Sequence, residues 1–289
     1  MRSMQQSQSH YMGGMASSFW PGVGSIFYLD GVAGDNANNG LTPAAPKLTL
    51  TAALALCTND ADDYILALDY WQPAGETWPV VVNKSKVHII GVRSGTRQRP
   101  WVAAQPPGDT AVLSIAASNV RVEGWYFDAG AAHGGIEFAG HVTSVGIFDC
   151  WFGQGANGIL VESGGVAFGL EIANCFFSQS LTAQSIQIND DPAFSSIHDN
   201  WIDSCQGVGI NIALNAAAIR IYNNMIGVGA DVEGQGITLG ANVRRAMVMN
   251  NSANHGDADM TQNPFLDSAP ADSNHWANNW RGAAALAPA

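Results

Sequence analysis

Apolar residues in the central part of the chain recur about every 25 positions. One column of this repeat, with successive spacings of 25, 25, 25, 24 and 27 residues, consists of Val122, Ile147, Ile172, Ile197, Ile221 and Val248. A second inward column lies two residues earlier and consists of Val120, Val145, Leu170, Ser195, Ile219 and Ala246. Alternation over three to five positions is typical of half-buried strands, and these segments lack a sustained helical period.

Another set of short strands shares this period. Each strand consists, in order, of a small residue, an Ile, a residue of any type and an apolar residue. The equivalent Ile residues are Ile136, Ile159, Ile186, Ile210 and Ile237. A propeller blade needs roughly 40 residues in four antiparallel strands, whereas about 25 residues with two or three short strands fit one coil of a parallel β-helix. The sequence therefore predicts an all-β solenoid in which equivalent residues lie about 4.8 Å apart.

Two further columns follow the first strand of each coil. The turn column consists of Gly124, Asp149, Asn174, Asp199, Asn223 and Asn250. Asn and Asp tolerate left-handed backbone and can form hydrogen bonds along a stack, so the column indicates a repeated turn. Two residues later comes an aromatic column of Tyr126, Trp151, Phe176 and Trp201. We expect these four side chains to form an interior stack, with an exposed carbohydrate-binding platform as the alternative.

The segment FYLDGVAGDNANNGLTPAAPKLTLTAALALC, followed by DDYILAL, resembles the opening of right-handed, single-stranded parallel β-helix proteins of the pectate-lyase-like superfamily. It supplies the superfamily's Gly-Leu-Thr-Pro element at 40–43, a Pro-Lys element at 46–50, a helix-forming stretch and a first coil strand at 64–68. It departs from the pattern in lacking an aromatic residue before Lys47. Near the other end, NPFLDSAPADSNHW resembles the segment with which such chains leave the last coil.

This resemblance implies an N-terminal capping helix ahead of the coils. It also implies a parallel β-helix domain at 27–262 and a C-terminal capping segment and tail at 263–289. Residues 1–26, rich in Gln, Ser, Met and Gly, cannot form a core of their own and are expected to be an N-terminal anchoring arm that orders on a partner. The superfamily includes lyases, hydrolases, epimerases, viral tailspikes and inert shafts, so the fold does not determine the function.

Composition narrows the range of partners. The 289 residues include 12 Lys and Arg against 24 Asp and Glu, which gives a net charge of -12 and argues against binding to nucleic acid or to anionic membranes. The N-terminal sequence has Gln, Ser and His where a signal peptide has its apolar core, and we expect a protein that does not use the secretory route. Cys57, Cys150, Cys175 and Cys205 fit no zinc spacing and are expected to be buried free thiols.

Enzymes of the superfamily cleave polysaccharides either by β-elimination, with calcium-binding Asp residues and an Arg base, or by hydrolysis with paired carboxylates. The outward positions of the repeat are mixed and contain no cluster of one kind. Asp149 and Asp199, with Glu171 and His198 nearby, are the best candidates for catalytic residues. Two rungs separate Asp149 from Asp199 by about 9.6 Å, which is near the upper limit of the distance between the two carboxylates of an inverting glycosidase. Both Asp residues belong to the turn column, which explains them without catalysis. We therefore assign no catalytic and no cofactor-binding residue.

Acidic loops offer the remaining candidate metal ligands. Asp190 and Asp191, and in another loop Asp257 and Asp259, could hold calcium, but solvated loop tips explain them equally simply. The stretch 34–43 lacks two ligands of a calcium loop and is interpreted as a turn. Arg97 and Arg99 form a basic spot that is interpreted as a solvated loop. We assign no metal site.

The function preferred from the sequence is that of a bacteriophage structural protein. It would be a capsid decoration, tail spike or fibre component located in the virion, a homotrimer attached to capsid or tail proteins by its arm. The outward apolar residues Phe148, Leu160 and Met249 would suit a subunit interface. One alternative is a polysaccharide depolymerase, either a lyase or a glycoside hydrolase, that acts on host surface glycans. The second is a non-catalytic glycan-binding adhesin that uses outward aromatics such as Tyr222.

Overall fold

The computed structural model describes residues 24–92, 102–214, 216–228, 235–255, 264–269, 273–281 and 284–285. These residues form one helix, α1 (Leu50–Leu56), and a series of short strands. In chain order the strands are β1 (Ile26–Asp30), β2 (Asp63–Asp69), β3 (Val80–Val82), β4 (Val87–Gly91), β5 (Val102–Ala104), β6 (Leu113–Ile115), β7 (Arg121–Glu123), β8 (Trp125–Asp128), β9 (Gly134–Phe138), β10 (His141–Thr143), β11 (Gly146–Phe148), β12 (Trp151–Gln154), β13 (Asn157–Val161), β14 (Val166–Phe168), β15 (Glu171–Ala173), β16 (Phe176–Phe177), β17 (Ile186–Ile188), β18 (Ser196–His198), β19 (Trp201–Cys205), β20 (Val208–Ile212), β21 (Arg220–Tyr222), β22 (Met225–Val228), β23 (Gln235–Leu239), β24 (Met247–Met249), β25 (Ser252–His255), β26 (Phe265–Asp267), β27 (His275–Ala277), β28 (Trp280–Arg281) and β29 (Ala284–Ala285).

Three long sheets run along the molecule, and from β4 to β26 each coil contributes a strand to sheet A, then to sheet B, then to sheet C. Strands β10 and β14 form a separate two-stranded sheet. Sheet A has ten strands in the order β1-β2-β4-β7-β11-β15-β18-β21-β24-β27. Sheet B has nine, β5-β8-β12-β16-β19-β22-β25-β28-β29, and sheet C has eight, β3-β6-β9-β13-β17-β20-β23-β26. Neighbouring strands are parallel except at the final β28–β29 pair. The predicted all-β parallel β-helix is confirmed.

Among the described residues, no helix is long and apolar enough to cross a membrane.

The register of the coils agrees with the repeat found in the sequence. Val122, Ile147 and Ile172 are paired across β7, β11 and β15, and all three are fully buried. In sheet C, Ile136, Ile159 and Ile186 are likewise paired and buried. Burial of each such side chain stabilises the fold by about 1.5–3 kcal/mol. The interior is therefore a set of stacked aliphatic columns at the spacings that the sequence predicts.

Helix α1 lies at the start of the coils, as the resemblance implies. The side chain of Thr49 accepts a hydrogen bond from the amide of Ala52, and this caps the first turn. The carboxylate of Glu76 accepts the amide of Leu50 at 2.6 Å. The 34–43 loop is tied to the same place, because the side chain of Asn36 accepts the amide of Thr49. Its polar residues thus form a turn that fixes the cap.

The turn column has the left-handed backbone that its residue types predict. The φ angles of Gly124, Asp149, Asn174, Asp199, Asn223 and Asn250 lie between +52° and +75°. Asn223 also donates a side-chain hydrogen bond to Asp199 in the preceding coil, at 3.2 Å. Asp149 and Asp199 therefore have the turn-forming role.

This column gives a first testable prediction, at the exposed Asn174, whose φ is +56°. Asn174→Ala should lower the free energy of unfolding by about 1 kcal/mol, because a left-handed backbone crowds Cβ against a carbonyl oxygen. Asn174→Gly removes the same side chain without that conflict and should leave stability nearly unchanged. Urea denaturation measures both, and equal losses in the two variants would contradict the conformational explanation.

The predicted interior stack of Tyr126, Trp151, Phe176 and Trp201 is wrong, because these side chains lie on the exterior of sheet B. The interior positions are one residue later, where Phe127, Phe152 and Phe177 stack with ring centroids 5.3 and 4.8 Å apart. The left-handed turn shifts the alternation of inward and outward side chains by one position. A count in steps of two from an inward residue before the turn therefore reaches an outward residue after it. A shift of one residue places every side chain on the other face of a strand.

A buried hydrogen-bonded ladder lies directly after the turn column. It consists of Asn200, Asn224, Asn251 and Asn279, all at most 2% exposed. Each side-chain amide donates to the carbonyl of the central sheet A residue in the preceding coil, as Asn224 does to Ile197 at 3.0 Å. Each of the first three also donates to the side-chain oxygen of the next Asn, at 2.9–3.0 Å. We call these four residues the asparagine ladder.

Two cysteines occupy the same column in earlier coils. The thiols of Cys150 and Cys175 lie 3.9 and 3.7 Å from the carbonyls of Val122 and Ile147, the acceptors equivalent to that of Asn224. Together with Cys57 they are buried and free, as predicted. Burial raises the pKa of both the Cys57 and the Cys175 thiol, so each stays protonated at neutral pH.

Candidate functional site

A groove of about 650 Å³ crosses the exterior of sheet A where β4, β7, β11 and β15 begin. Its floor is one outward column of His88, Arg121, Gly146 and Glu171, which are paired in register. Gly146 carries no side chain, and the ring of Phe148 lies over it, where a Cβ would approach ring atoms to 2.3 Å. A side chain at Gly146 would therefore displace the Phe148 ring that lines the groove. We call this feature the sheet A groove.

The rim of the groove is a second column of left-handed residues, just before the sheet A strands. Lys86, Asn119, Ser144 and Gly169 line the groove and have φ between +56° and +67°. The amides of Asn119 and Ser144 donate to carbonyls of the next coil, at 2.8 Å each. The turn before each strand thus places its left-handed residue beside the floor, and these residues follow one another in the same order as the strands.

One end of the groove carries the cations Lys86 and Arg121 and the ring of Phe148, together with the carboxylates Asp60 and Asp62. The guanidinium of Arg121 donates to the buried carboxylate of Glu123 at 2.9 and 2.8 Å and lies 4.2 Å from the ring centroid of Phe148. His88 is hydrogen-bonded to Asp62 at 2.7 Å, and its ring stacks on Tyr64 at 4.2 Å. Burial, followed by the negative charge of Asp62, raises the pKa of Tyr64. The contacts with Glu123 and Phe148 fix the direction of the Arg121 side chain along the floor.

The other end carries carboxylates. The ring of His198 lies between two of them, with Nε2 3.2 Å from Glu171 and Nδ1 2.7 Å from Asp199. The side chain of Glu171 is 51% exposed, whereas that of His198 is only 15% exposed. Tyr222 stacks on the imidazole at 4.6 Å, and burial together with the Asp199 charge raises the pKa of Tyr222. The imidazole is thus held rigidly, and it holds Glu171 at the end of the groove.

Of the candidates identified in the sequence, the structure brings Glu171, His198 and Asp199 together. Asp149 lies on its own turn two coils before Asp199. Asp190 accepts hydrogen bonds from the amides of Asp191 and of Gly164 in the preceding coil, and Asp191 accepts one from the amide of Ala193 at 3.2 Å. The described part of the chain contains no group of three His, Cys, Asp or Glu side chains arranged to hold a metal ion. The other loop candidates, Asp257 with Asp259 and Arg97 with Arg99, lie outside the described residues.

The groove residues Asp62, Lys86 and His88 were not predicted from the sequence. They belong to the first coils, where the segments are too irregular to align with the repeat that begins at Val120. The only signal in the sequence is the pair of short strands around Tyr64 and His88, which the structure places in adjacent rungs.

Comparison with known proteins gives matches to solved structures alone. One is a pectate lyase, Pel9A, which is 15% identical with a TM-score of 0.53, over 92% of this chain and 80% of that chain. Another is an alginate lyase from Paenibacillus sp. str. FPU-7, which is 13% identical with a TM-score of 0.51, over 81% of this chain and 96% of that chain. The fold is a pectate-lyase-like parallel β-helix. No family model and no curated protein matches the chain.

Proposed function

We propose that the protein binds a uronate-containing polysaccharide in the sheet A groove and cleaves it there. The observation that carries the proposal is the groove itself, which aligns the cations Lys86 and Arg121 with the exposed carboxylate of Glu171 on one open face. Two solved structures of the same fold support it, since they are named as a pectate lyase and an alginate lyase. The alternative of a polysaccharide depolymerase is thereby preferred to the phage structural hypothesis.

The cationic end would bind the carboxylate of a uronate residue. Arg121 presents a planar guanidinium whose direction is fixed by Glu123 and Phe148, and Lys86 adds a second positive charge at the rim. Ion pairs of this kind position a sugar ring. They also withdraw charge from the carboxylate, and this makes the hydrogen on the adjacent ring carbon more acidic.

Glu171 would serve as the base that removes this hydrogen. The electron pair of the C–H bond then forms the carbon–carbon double bond, the glycosidic oxygen on the next carbon leaves and takes up a proton from water, and Glu171 returns its proton to the solvent. His198, which is bonded to Glu171 and oriented by Asp199, is a positioning residue that holds one carboxylate oxygen of Glu171 at 3.2 Å. A positioned acid–base group typically contributes 10²–10⁴-fold to the rate.

A panel of polysaccharides tests the proposal. The intact protein is incubated with polygalacturonate, alginate and, as neutral comparisons, xylan and galactomannan. Unsaturated ends, measured by ultraviolet absorbance, should accumulate with at least one uronate polymer and with neither neutral one. Reducing ends without unsaturation would refute the elimination step in favour of hydrolysis. If no polymer is cleaved, the enzymatic proposal fails.

The virion location, the homotrimer and the capsid or tail partners expected from the sequence stay predictions. The fold is compatible with a capsid decoration, spike or fibre protein, but no contact among the described residues favours a virion, a homotrimer or a capsid or tail partner. Phe148, one of the three residues predicted to suit a subunit interface, lies under the Arg121 guanidinium and lines the groove. The anchoring arm falls mostly within residues 1–23, outside the described residues.

A further inference from the structure

Sheet B carries an uninterrupted run of large side chains on its exterior. Tyr126, Trp151, Phe176 and Trp201 occupy equivalent positions of four successive strands, and Met225 follows on the fifth. The ring centroids of successive aromatics are 6.1, 4.3 and 5.7 Å apart. Trp201 is 54% exposed and Met225 is 51% exposed. We call these five residues the aromatic stripe.

Hydrogen-bond acceptors border the stripe. The next outward positions of the same strands or just beyond them carry Asp128, Gln154, Ser178 and Asp203. The Tyr126 hydroxyl donates to Asp128, and burial raises the pKa of that carboxyl group. One oxygen of Asp128 is buried and has no hydrogen-bond partner among the described residues. Gly153 makes room for this arrangement, because a Cβ there would lie 2.1 Å from the Tyr126 hydroxyl and 2.3 Å from Asp128.

Sheet stability alone does not account for the stripe. Cross-strand aromatic pairs contribute about 0.2–1 kcal/mol each, and Trp151 with Phe176 fits this role. The last ring, Trp201, leaves more than half of its surface in water, which is unfavourable for an aromatic side chain that serves packing. Continuous apolar patches on a protein surface mark sites of interaction.

The charge of the surface selects the ligand. Among the described outward side chains of β5, β8, β12, β16, β19 and β22 there is no Lys or Arg, whereas Asp128 and Asp203 are acidic. This surface offers no cation to a uronate polymer, whereas the groove offers Lys86 and Arg121. Its rings suit the apolar faces of pyranose sugars, and its bordering acceptors suit sugar hydroxyl groups.

We propose that the aromatic stripe is a second glycan-binding site, which binds a neutral polysaccharide chain running across the strands of sheet B. The site lies on a different face from the sheet A groove, beyond the turn column. It therefore extends the proposed function without depending on it, because a neutral chain held on sheet B would anchor the protein on a polymer that the groove does not cleave.

Affinity electrophoresis tests this site. The intact protein is run in gels that contain hydroxyethylcellulose, galactomannan or xylan, and the dissociation constant is taken from the retardation. At least one neutral polymer should bind, and Trp201→Ala should bind it roughly tenfold more weakly, since one aromatic contact is lost. Trp201 is half-exposed, so this variant is expected to fold, as circular dichroism will verify. The matched control is Phe194→Ala, which removes a 64% exposed aromatic from another face and should bind normally.

Three results would overturn the proposal: binding of none of the three polymers, equal affinity in Trp201→Ala and the unchanged protein, or a dimer in analytical ultracentrifugation that Trp201→Ala dissociates. The last would assign the stripe to a contact between two copies of the chain. The two proposals fail separately. Glu171→Gln should retain neutral-polymer binding, and Trp201→Ala should retain cleavage of short uronate oligosaccharides.

Discussion

Asn224→Ala should lower the free energy of unfolding by about 3 kcal/mol or more, the largest stability change that we expect from a single substitution. The side-chain oxygen of Asn224 accepts both the backbone amide and the side-chain amide of Asn200, at 3.2 and 2.9 Å. Its side-chain nitrogen donates to Ile197 and to Asn251. Ala would leave two donors of Asn200 without this acceptor in the interior, and each buried unsatisfied polar group costs about 1–3 kcal/mol.

The neighbouring Asn223 provides the control. It is exposed, and its φ of +56° suits Gly. Asn223→Gly should change stability by about 0.5 kcal/mol or less, as is usual for surface substitutions. Chemical denaturation followed by circular dichroism gives both values. A loss at Asn224 no greater than that at Asn223 would mean that the asparagine ladder adds little to stability.

Glu171→Gln should reduce the turnover of a cleaved uronate polymer by about 100-fold or more, because it removes the proposed base while keeping the size of the side chain. Gln can still contact His198, which lies 3.2 Å from the carboxylate, so the groove should keep its shape. Because Arg121 and Lys86 are untouched, KM should change far less than kcat. Initial rates over a range of substrate concentrations separate the two effects.

Glu162→Gln is the matched control, since it makes the same change at an exposed site outside the groove. Its turnover should equal that of the unchanged protein. Glu171→Gln with full turnover would exclude Glu171 as the base. A rise in KM with kcat unchanged would instead assign Glu171 to substrate binding.

The sequence predicted the coils well because their interior is periodic. Val122 and Ile136 recur with their equivalents at nearly constant spacing, and the repeat itself carries the register. The prediction failed at Tyr126 and Trp151, where one left-handed residue changes the parity of the strand that follows. Counting alternate residues cannot detect that change. Each of these strands begins with two large residues in succession, Trp-Tyr, Trp-Phe or Phe-Phe, so the sequence allows either of the two to face the interior.

The candidate site was predicted only in part, for a different reason. Glu171, His198 and Asp199 follow from the repeat, because adjacent rungs place them side by side. Lys86 and His88 come from an irregular first coil and meet Arg121 only through the pairing of β4 with β7. Their convergence depends on long-range strand pairing, which single-residue patterns do not encode.

The asparagine ladder persists although its members are separated by 24, 27 and 28 residues, so the loops absorb the differences in coil length. Each Asn interacts only with the coils before and after it, and no contact in the ladder depends on the total number of coils. Tandem duplication of one coil would therefore insert a rung without disturbing the others. By this route descendants of the gene can lengthen the exterior of a sheet in steps of about 4.8 Å while leaving its chemistry in place.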